Sequence, residues 1–351
     1  MLLPVICWFI RDSPKVKDLN GKHILITGCD SRFGHSLAQQ LARKGFCVIA
    51  ACLTEKGSQE LITHKSLSLR TVILDLTDSR SINNVVAFVK AETEGQGKFG
   101  LVNNAGRATP VAPTDWMQIE DSHTILDVNL MGLIEIILKL LSLLKKAKGR
   151  VINIASVMGH MAFLGGGYCL SKWGVEAFSD ILWRDMQHFG VEVSIIEPGF
   201  FKTGVTSLEV IEKDLLKLWN RLSSEVREYY GDKYFVKYIR AQRLSMKRLC
   251  DSDFSKVITC IEHALIAEYP SYTAGLDAKL FWLSLSYAPT LVSDTGFTLL
   301  HLVRKQPTEF QLTFNIKDTR TKTRVVHSSI QQHPPDNSAI MYQSKDDMQV
   351  I

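Results

Sequence analysis

Residues 23–45 read HILITGCDSRFGHSLAQQLARKG. The apolar run Ile24–Leu25–Ile26 leads into Gly28, a short polar turn and Gly34, and the helical spacing that follows closes on Gly45, where a C-cap glycine is expected. A short run apolar on both faces reads as an inner strand of a parallel sheet. Glycines in the turn let the main chain approach a pyrophosphate, and the helix beyond offers unpaired N–H groups and the positive end of its dipole. That is the layout of a dinucleotide-binding loop, with one departure: Arg32 stands where a middle glycine is expected. If that position needs a left-handed backbone, a side chain there costs roughly 1–2 kcal/mol. If it is helical, only steric conflict with the phosphate matters, and the guanidinium could even reach that phosphate. Taken alone, the stretch reads equally well as an ordinary strand–turn–helix.

Outward from this unit the chain keeps alternating. FCVIAAC, RTVILDLTD, FGLVNNAG, RVINIAS and VEVSIIEPG read as strands, and helical segments such as SINNVVAFVKAET and NLMGLIEIILKLLSLLKKAKG separate them. Short apolar strands spaced by helices predict an α/β fold, a Rossmann-type doubly wound parallel sheet with helices on both faces. The amphipathic, basic stretch 207–249 is expected to form a helical cap over the C-terminal sheet edge, where such folds bind ligands. We read one domain over residues 20–305, preceded by a short apolar segment at 1–19 and followed by a polar, disordered extension at 306–351.

Composition excludes several classes. The 351 residues carry a net charge of +5, with no basic run dense enough for nucleic acid. The seven cysteines are scattered, without the pairing or the Cys/His spacing that would suggest a disulfide framework or a metal site. MLLPVICWFI is too short to span a bilayer, which takes about 20 residues, and it lacks a cleavage site; it reads as an interfacial anchor or as an apolar lead-in packed on the domain. Residues 278–303, apolar and aromatic, read as core or as a membrane-contacting patch.

The chemistry sits further along. Tyr168 and Lys172, four residues apart, share one helix face, and Ser156 lies twelve residues before the tyrosine at a strand end. A nearby ammonium favours a phenolate, which predicts a tyrosine pulled down from about 10 to serve as general acid or base for a hydroxyl or carbonyl. NNAG, Asn103 to Gly106, ends the fourth strand and suits a groove edge. His160 is read as a rim or packing residue. Each motif is modest alone, and a Tyr-x-x-x-Lys arises often by chance.

As an ordered set, T-G-x-x-x-x-x-G, N-N-A-G, Asn, Ser, Y-x-x-x-K and P-G resemble the short-chain dehydrogenase/reductase superfamily over roughly residues 20–305. GGGYCLSKWGVEAFSD and IIEPGFFKTG bring the likeness close to the microsomal retinol dehydrogenase and 17β-hydroxysteroid dehydrogenase type 6-like branch. The resemblance implies Tyr168 as acid/base, Lys172 as its partner on the nicotinamide ribose, Ser156 and Tyr168 as the hold on the substrate oxygen, and Asn129 as the support of a relay water. It implies a cofactor surface made by Gly28, Ser31, Arg32, Phe33 and Gly34 of the loop, with Asp75, Asn103, Ala105, Gly106, Tyr168, Lys172, Pro198, Gly199 and Thr203. The expected reaction is hydride transfer between NAD, with NADP as the alternative, and a lipophilic alcohol or carbonyl of retinoid or hydroxysteroid type. The expected setting is the endoplasmic reticulum membrane, contacted peripherally, with a cytoplasmic location as the alternative and a homodimer as the assembly to test.

Two departures bear on function. Arg32 supports a second reading, a weakly active or inactive relative that binds lipid or a protein partner. At the end of the second strand an acid would select NAD, yet Leu53 and Thr54 stand there, and Arg32 with Lys56 would suit a 2′-phosphate. Ala155 replaces a second serine, leaving Ser156 at the required spacing.

Overall fold

The structure, a computed structural model, describes residues 21–63, 68–93, 99–162, 165–201, 208–267 and 273–274. The apolar N-terminal segment, Thr203, the stretch 278–303 and the polar extension lie outside the described residues.

Among the described residues, seven strands form one sheet in the order β3-β2-β1-β4-β5-β6-β7, every neighbouring pair parallel. They are β1 (His23–Thr27), β2 (Cys47–Cys52), β3 (Leu69–Ile73), β4 (Phe99–Asn103), β5 (Arg150–Ile154), β6 (Glu192–Glu197) and β7 (Thr273–Ala274). The strand order reverses between β1 and β4, and a doubly wound sheet opens a ligand crevice at that switch point.

Alternation along β1 shows why the strand is apolar on both faces. Leu25 packs with Ile82 and Val85 of α3 (Ser79–Glu92) and Ile136 and Leu140 of α5 (Gly132–Ala147). Ile24 and Ile26 point the other way, towards Leu37 and Leu41 of α1 (Arg32–Arg43) and Ile258 and Ile261 of α10 (Ser255–Ile266). α2 (Glu55–Ile62) follows β2, and α6 (Gly167–Met186) connects β5 to β6.

Two boundaries differ from expectation. β3 stops at Ile73, so Asp75 falls in a loop, where its Oδ1 accepts hydrogen bonds from Thr77 N (2.8 Å) and Thr77 Oγ1 (2.7 Å). The long apolar helix has a forerunner, α4 (Ile119–Leu126), begun by Asp121 accepting from Gln118 N at 2.8 Å and joined to α5 by a π-helical turn over Asp127–Met131. Ser255–Ile266 is also helical and packs Val257, Ile258 and Ile261 into the core.

The cap is three helices, α7 (Leu208–Arg221), α8 (Ser224–Tyr230) and α9 (Asp232–Leu249). Ser223 caps α8 through Val226 N, and Gly231, at φ +76, turns the chain into α9. The cap has its own small core, where Trp116 packs against Trp219, Phe235 and Tyr238. Arg221 pairs with Asp121, and Tyr230 OH donates to Asp115 at 2.7 Å, tying α8 and α7 to the segment before α5. Among the described residues no helix is long and apolar enough to cross a membrane.

Candidate active site

A cleft of about 630 Å³ opens at the C-terminal ends of the strands, between the loop after β1 and the cap. The quoted stretch supplies part of its wall through Gly28, Asp30, Ser31 and Phe33. Gly28 has φ +70, and a Cβ there would come within 2.7 Å of Ala105 Cα. Gly34 lies so close beneath that its Cβ would meet Gly28 O at 2.4 Å and Asn104 Nδ2 at 2.7 Å. Side chains are excluded at both positions, and Gly28 presents bare main chain to the cleft. Ser31 caps α1 in extended conformation without a side-chain cap bond, and the first turn contains no acid. The N–H groups of that turn are therefore available to an anion. This loop fits the pyrophosphate of a dinucleotide.

Arg32 is the first residue of α1, and the only non-glycine residue with positive φ among the described residues is Lys148. The left-handed penalty considered for Arg32 therefore does not arise. Ser31 and Phe33 line the cleft, and the Phe33 ring meets Phe201 and Phe254 edge-on at 5.5 and 5.3 Å between centroids.

The fourth-strand motif splits in two. Ala105 and Gly106 line the cleft, whereas Asn103, expected beside them, is absent from its wall. Asn103 is the last residue of β4 and points into the sheet, where its Nδ2 donates to Asn153 Oδ1 at 2.8 Å. Asn104, one position on, faces the cleft and donates through Nδ2 to Thr27 O (2.9 Å) and Gly28 O (3.0 Å). A shift of one residue reverses the face, and the paired asparagines gave no sign of which was which.

Ser156, Tyr168 and Lys172 line the same cleft, as do Pro198, Gly199 and Asp75. Ser156 Oγ caps a short 3-10 turn by accepting from Met158 N at 3.2 Å, and it also hydrogen-bonds Tyr168. Lys172 is buried; its Nζ donates to Ile154 O at 2.7 Å and stands 5.8 Å from the centre of the Tyr168 ring. Burial brings the ammonium down to about 8, against the pull of Glu176. The expectation that Lys172 would bring Tyr168 towards neutrality is not met in this structure. Burial raises the phenol, the Ser156 hydrogen bond only partly offsets it, and the ammonium is committed to the Ile154 carbonyl.

Asn129 is buried in the π-helical turn, a local irregularity that frequently marks functional positions. Its Nδ2 donates to Arg107 O (2.8 Å) and Ser171 Oγ (3.0 Å), and its Oδ1 accepts from Arg107 N (2.7 Å). The amide thus braces the loop carrying Gly106 against α6. Behind Lys172, one turn along α6, Glu176 approaches Glu197 and His160, the three offering ligand atoms within 4.8 Å of one another. His160 Nε2 lies 2.5 Å from Glu197 Oε1, and its ring meets Trp173 edge-on, outside the cleft wall.

Sequence reading also passed over Asp30. Its carboxylate crosses from the first loop to the end of β2 and lines the cleft there. Its only sequence trace was an acid inside the quoted turn, where no pattern assigned it a partner. Lys56, by contrast, is exposed, lies 4.0 Å from Glu60 and lines a separate recess with His35 and Gln59.

Comparison with known proteins agrees with this geometry. The family model described as short chain dehydrogenase matches residues 22–213. Retinol dehydrogenase 16 of Mus musculus is 52% identical over 288 residues, covering 82% of this chain and 90% of that protein. Retinol dehydrogenase 5 of Homo sapiens is 47% identical over 299 residues, 85% of this chain and 94% of that one. 17-beta-hydroxysteroid dehydrogenase type 6 of Rattus norvegicus is 46% identical over 304 residues, 86% and 94% of the two chains. Among solved structures, a short-chain dehydrogenase from Streptomyces avermitilis superposes with a TM-score of 0.61 at 25% identity, covering 80% of this chain and 95% of that one. With a parallel sheet reversing between β1 and β4, and likeness of this extent along the chain, the protein belongs to the short-chain dehydrogenase family and takes a nicotinamide cofactor.

Proposed function

We propose that the protein transfers a hydride between NAD and a lipophilic alcohol or carbonyl of retinoid or hydroxysteroid type. The observation that carries this is that Ser156, Tyr168 and Lys172 line one cleft with Gly28 and with the apolar side chains of Val111, Met158, Ile211 and Met246. The names of the relatives, retinol dehydrogenases and a 17-beta-hydroxysteroid dehydrogenase, support the substrate class.

When bound, the nicotinamide ring accepts or gives the hydride. The protein's part is to position and to move a proton. The Ser156 hydroxyl holds the substrate oxygen; the Tyr168 hydroxyl gives its proton to the carbonyl oxygen in reduction, and the Tyr168 phenolate takes the alcohol proton in oxidation. Lys172, with an ammonium brought down to about 8, exchanges protons with its surroundings near neutral pH and holds the ribose. Asn129 acts as a positioning residue through Arg107 and Ser171. In this reading Gly28, Ser31, Arg32, Phe33 and Gly34 carry the pyrophosphate and Asp75 the adenine. Ala105, Gly106, Pro198, Gly199 and Thr203 line the rest of the cofactor's path. The catalytic domain spans residues 20–305 and sits peripherally at the endoplasmic reticulum membrane, a placement supported by resemblance and by the apolar sequence MLLPVICWFI.

Tyr168→Phe tests the mechanism: it should lower kcat by at least about a hundredfold on every accepted alcohol while NADH still binds. Full activity in that variant would remove Tyr168 from proton transfer. Release of the protein from microsomes by high salt alone would count against apolar membrane contact.

A further inference from the structure

β2 ends at Cys52 and α2 begins at Glu55, and Leu53 and Thr54 between them line the cleft. In a doubly wound sheet the adenosine ribose of a dinucleotide lies at this place, and an acid here normally meets its hydroxyls. The β2–α2 turn has no acid of its own. One arrives from the preceding crossover instead. Asp30 Oδ2 accepts from Leu53 N at 2.7 Å, and Oδ1 accepts from Thr54 N at 2.9 Å and from Thr54 Oγ1 at 2.8 Å. Gly57, in the first turn of α2, closes over the carboxylate; a Cβ there would approach Asp30 Oδ1 to 2.6 Å. Asp30, Leu53 and Thr54 all line the cleft with Gly28 and Ser31.

Two main-chain N–H groups and a hydroxyl at the start of a helix make an anion site. Here the chain fills that site with its own carboxylate. We infer that Asp30 decides which nicotinamide dinucleotide is accepted, favouring the form without a 2′-phosphate. A 2′-phosphate would need the donors that Asp30 already occupies and would have to stand beside its negative charge. Ribose hydroxyls meet an acceptor at the same place. Discrimination therefore comes from a repulsive element as well as an attractive one. Lys56 does not compensate, being exposed and 4.0 Å from Glu60. The inference rests on the cleft being a nicotinamide dinucleotide site, and it deepens that reading by naming the residue that sets the choice.

The test is equilibrium binding of NADH and NADPH to the full chain, followed by energy transfer from tryptophan, for wild type, Asp30→Ser, Asp30→Asn and Arg32→Gly. Wild type should bind NADH at least about tenfold more tightly than NADPH. The preference should fall by about tenfold or more in Asp30→Ser, which vacates the donors, and by less in Asp30→Asn, which removes the charge but keeps an acceptor. Asp30→Asn also keeps the test decisive if the serine variant unfolds. A wild-type chain that binds both dinucleotides equally overturns the inference while leaving the cofactor site in place. So does a preference unchanged in both Asp30 variants, or one that moves only in Arg32→Gly. If neither dinucleotide saturates wild type, the cofactor reading itself fails and the inference with it.

Discussion

At the scale of single residues, the loop after β1 turns on backbone angles. A bulky residue at position 32 strains the backbone only if its φ is positive. The structure makes Arg32 the first residue of α1, where an L-residue is at ease. Arg32→Gly should therefore leave stability unchanged or lower it by up to about 1 kcal/mol, because glycine loses more backbone freedom on entering a helix. A gain above about 1 kcal/mol in urea unfolding would show that the arginine is strained after all. Gly34 behaves in the opposite way. A methyl group there meets Gly28 O at 2.4 Å, so Gly34→Ala should destabilise by about 1–3 kcal/mol and weaken NADH binding as the loop shifts. Retained stability and affinity would mean that the loop yields without consequence. Of the cofactor-loop residues, the glycines were legible in sequence because their spacing is itself the signal. Asp30 was not, since its partners Leu53 and Thr54 lie 23 and 24 residues away.

At the scale of elements, α6 and β6 share a charge cluster beneath the catalytic face. Burial, and then the neighbouring Glu197, push the Glu176 carboxyl up to about 8. The groups facing it are Glu197 on β6, His160 beyond the 3-10 turn, and Lys172 and Asp180 on α6 itself. A carboxyl raised in the folded state binds a proton there that the unfolded chain has already released above its ordinary 4.5. Its contribution to stability is thus complete at acid pH and is lost as pH rises through about 8. Urea unfolding at several pH values should show stability declining between about 5 and 8, and Glu176→Gln should flatten that decline. Identical slopes for the two proteins would place the proton elsewhere. None of this is readable along the chain, because only the approach of β6 brings Glu197 against Glu176.

At the scale of the whole molecule, the cleft is assembled from two parts. The loops at the sheet's edge supply the glycine loop and Ser156, α6 supplies Tyr168 and Lys172, and the cap supplies Ile211, Gln242 and Met246. Arg221 fastens the cap by pairing with Asp121 of α4 and by donating to Trp116 O at 3.4 Å. Arg221→Met keeps much of the stem's packing and removes the fork. It should raise KM for a lipophilic alcohol severalfold while leaving the NADH dissociation constant within about twofold, since the cofactor loops lie on the sheet. Equal loss of both would show that the cap and the cofactor loops are mechanically one unit.

The amino-acid sequence alone determined the strand–helix alternation, the doubly wound sheet, the glycine loop and the Ser156–Tyr168–Lys172 spacing. Each is a local pattern whose period or composition follows from one element. The tertiary structure alone decided that Asn104 rather than Asn103 faces the cleft, that Arg32 is unstrained, and that Tyr168 is raised rather than lowered. It also carried Asp30 to the end of β2. These depend on which strand lies beside which, and on the balance between burial and charge at points where distant segments meet. No window along the chain contains both partners of such a contact.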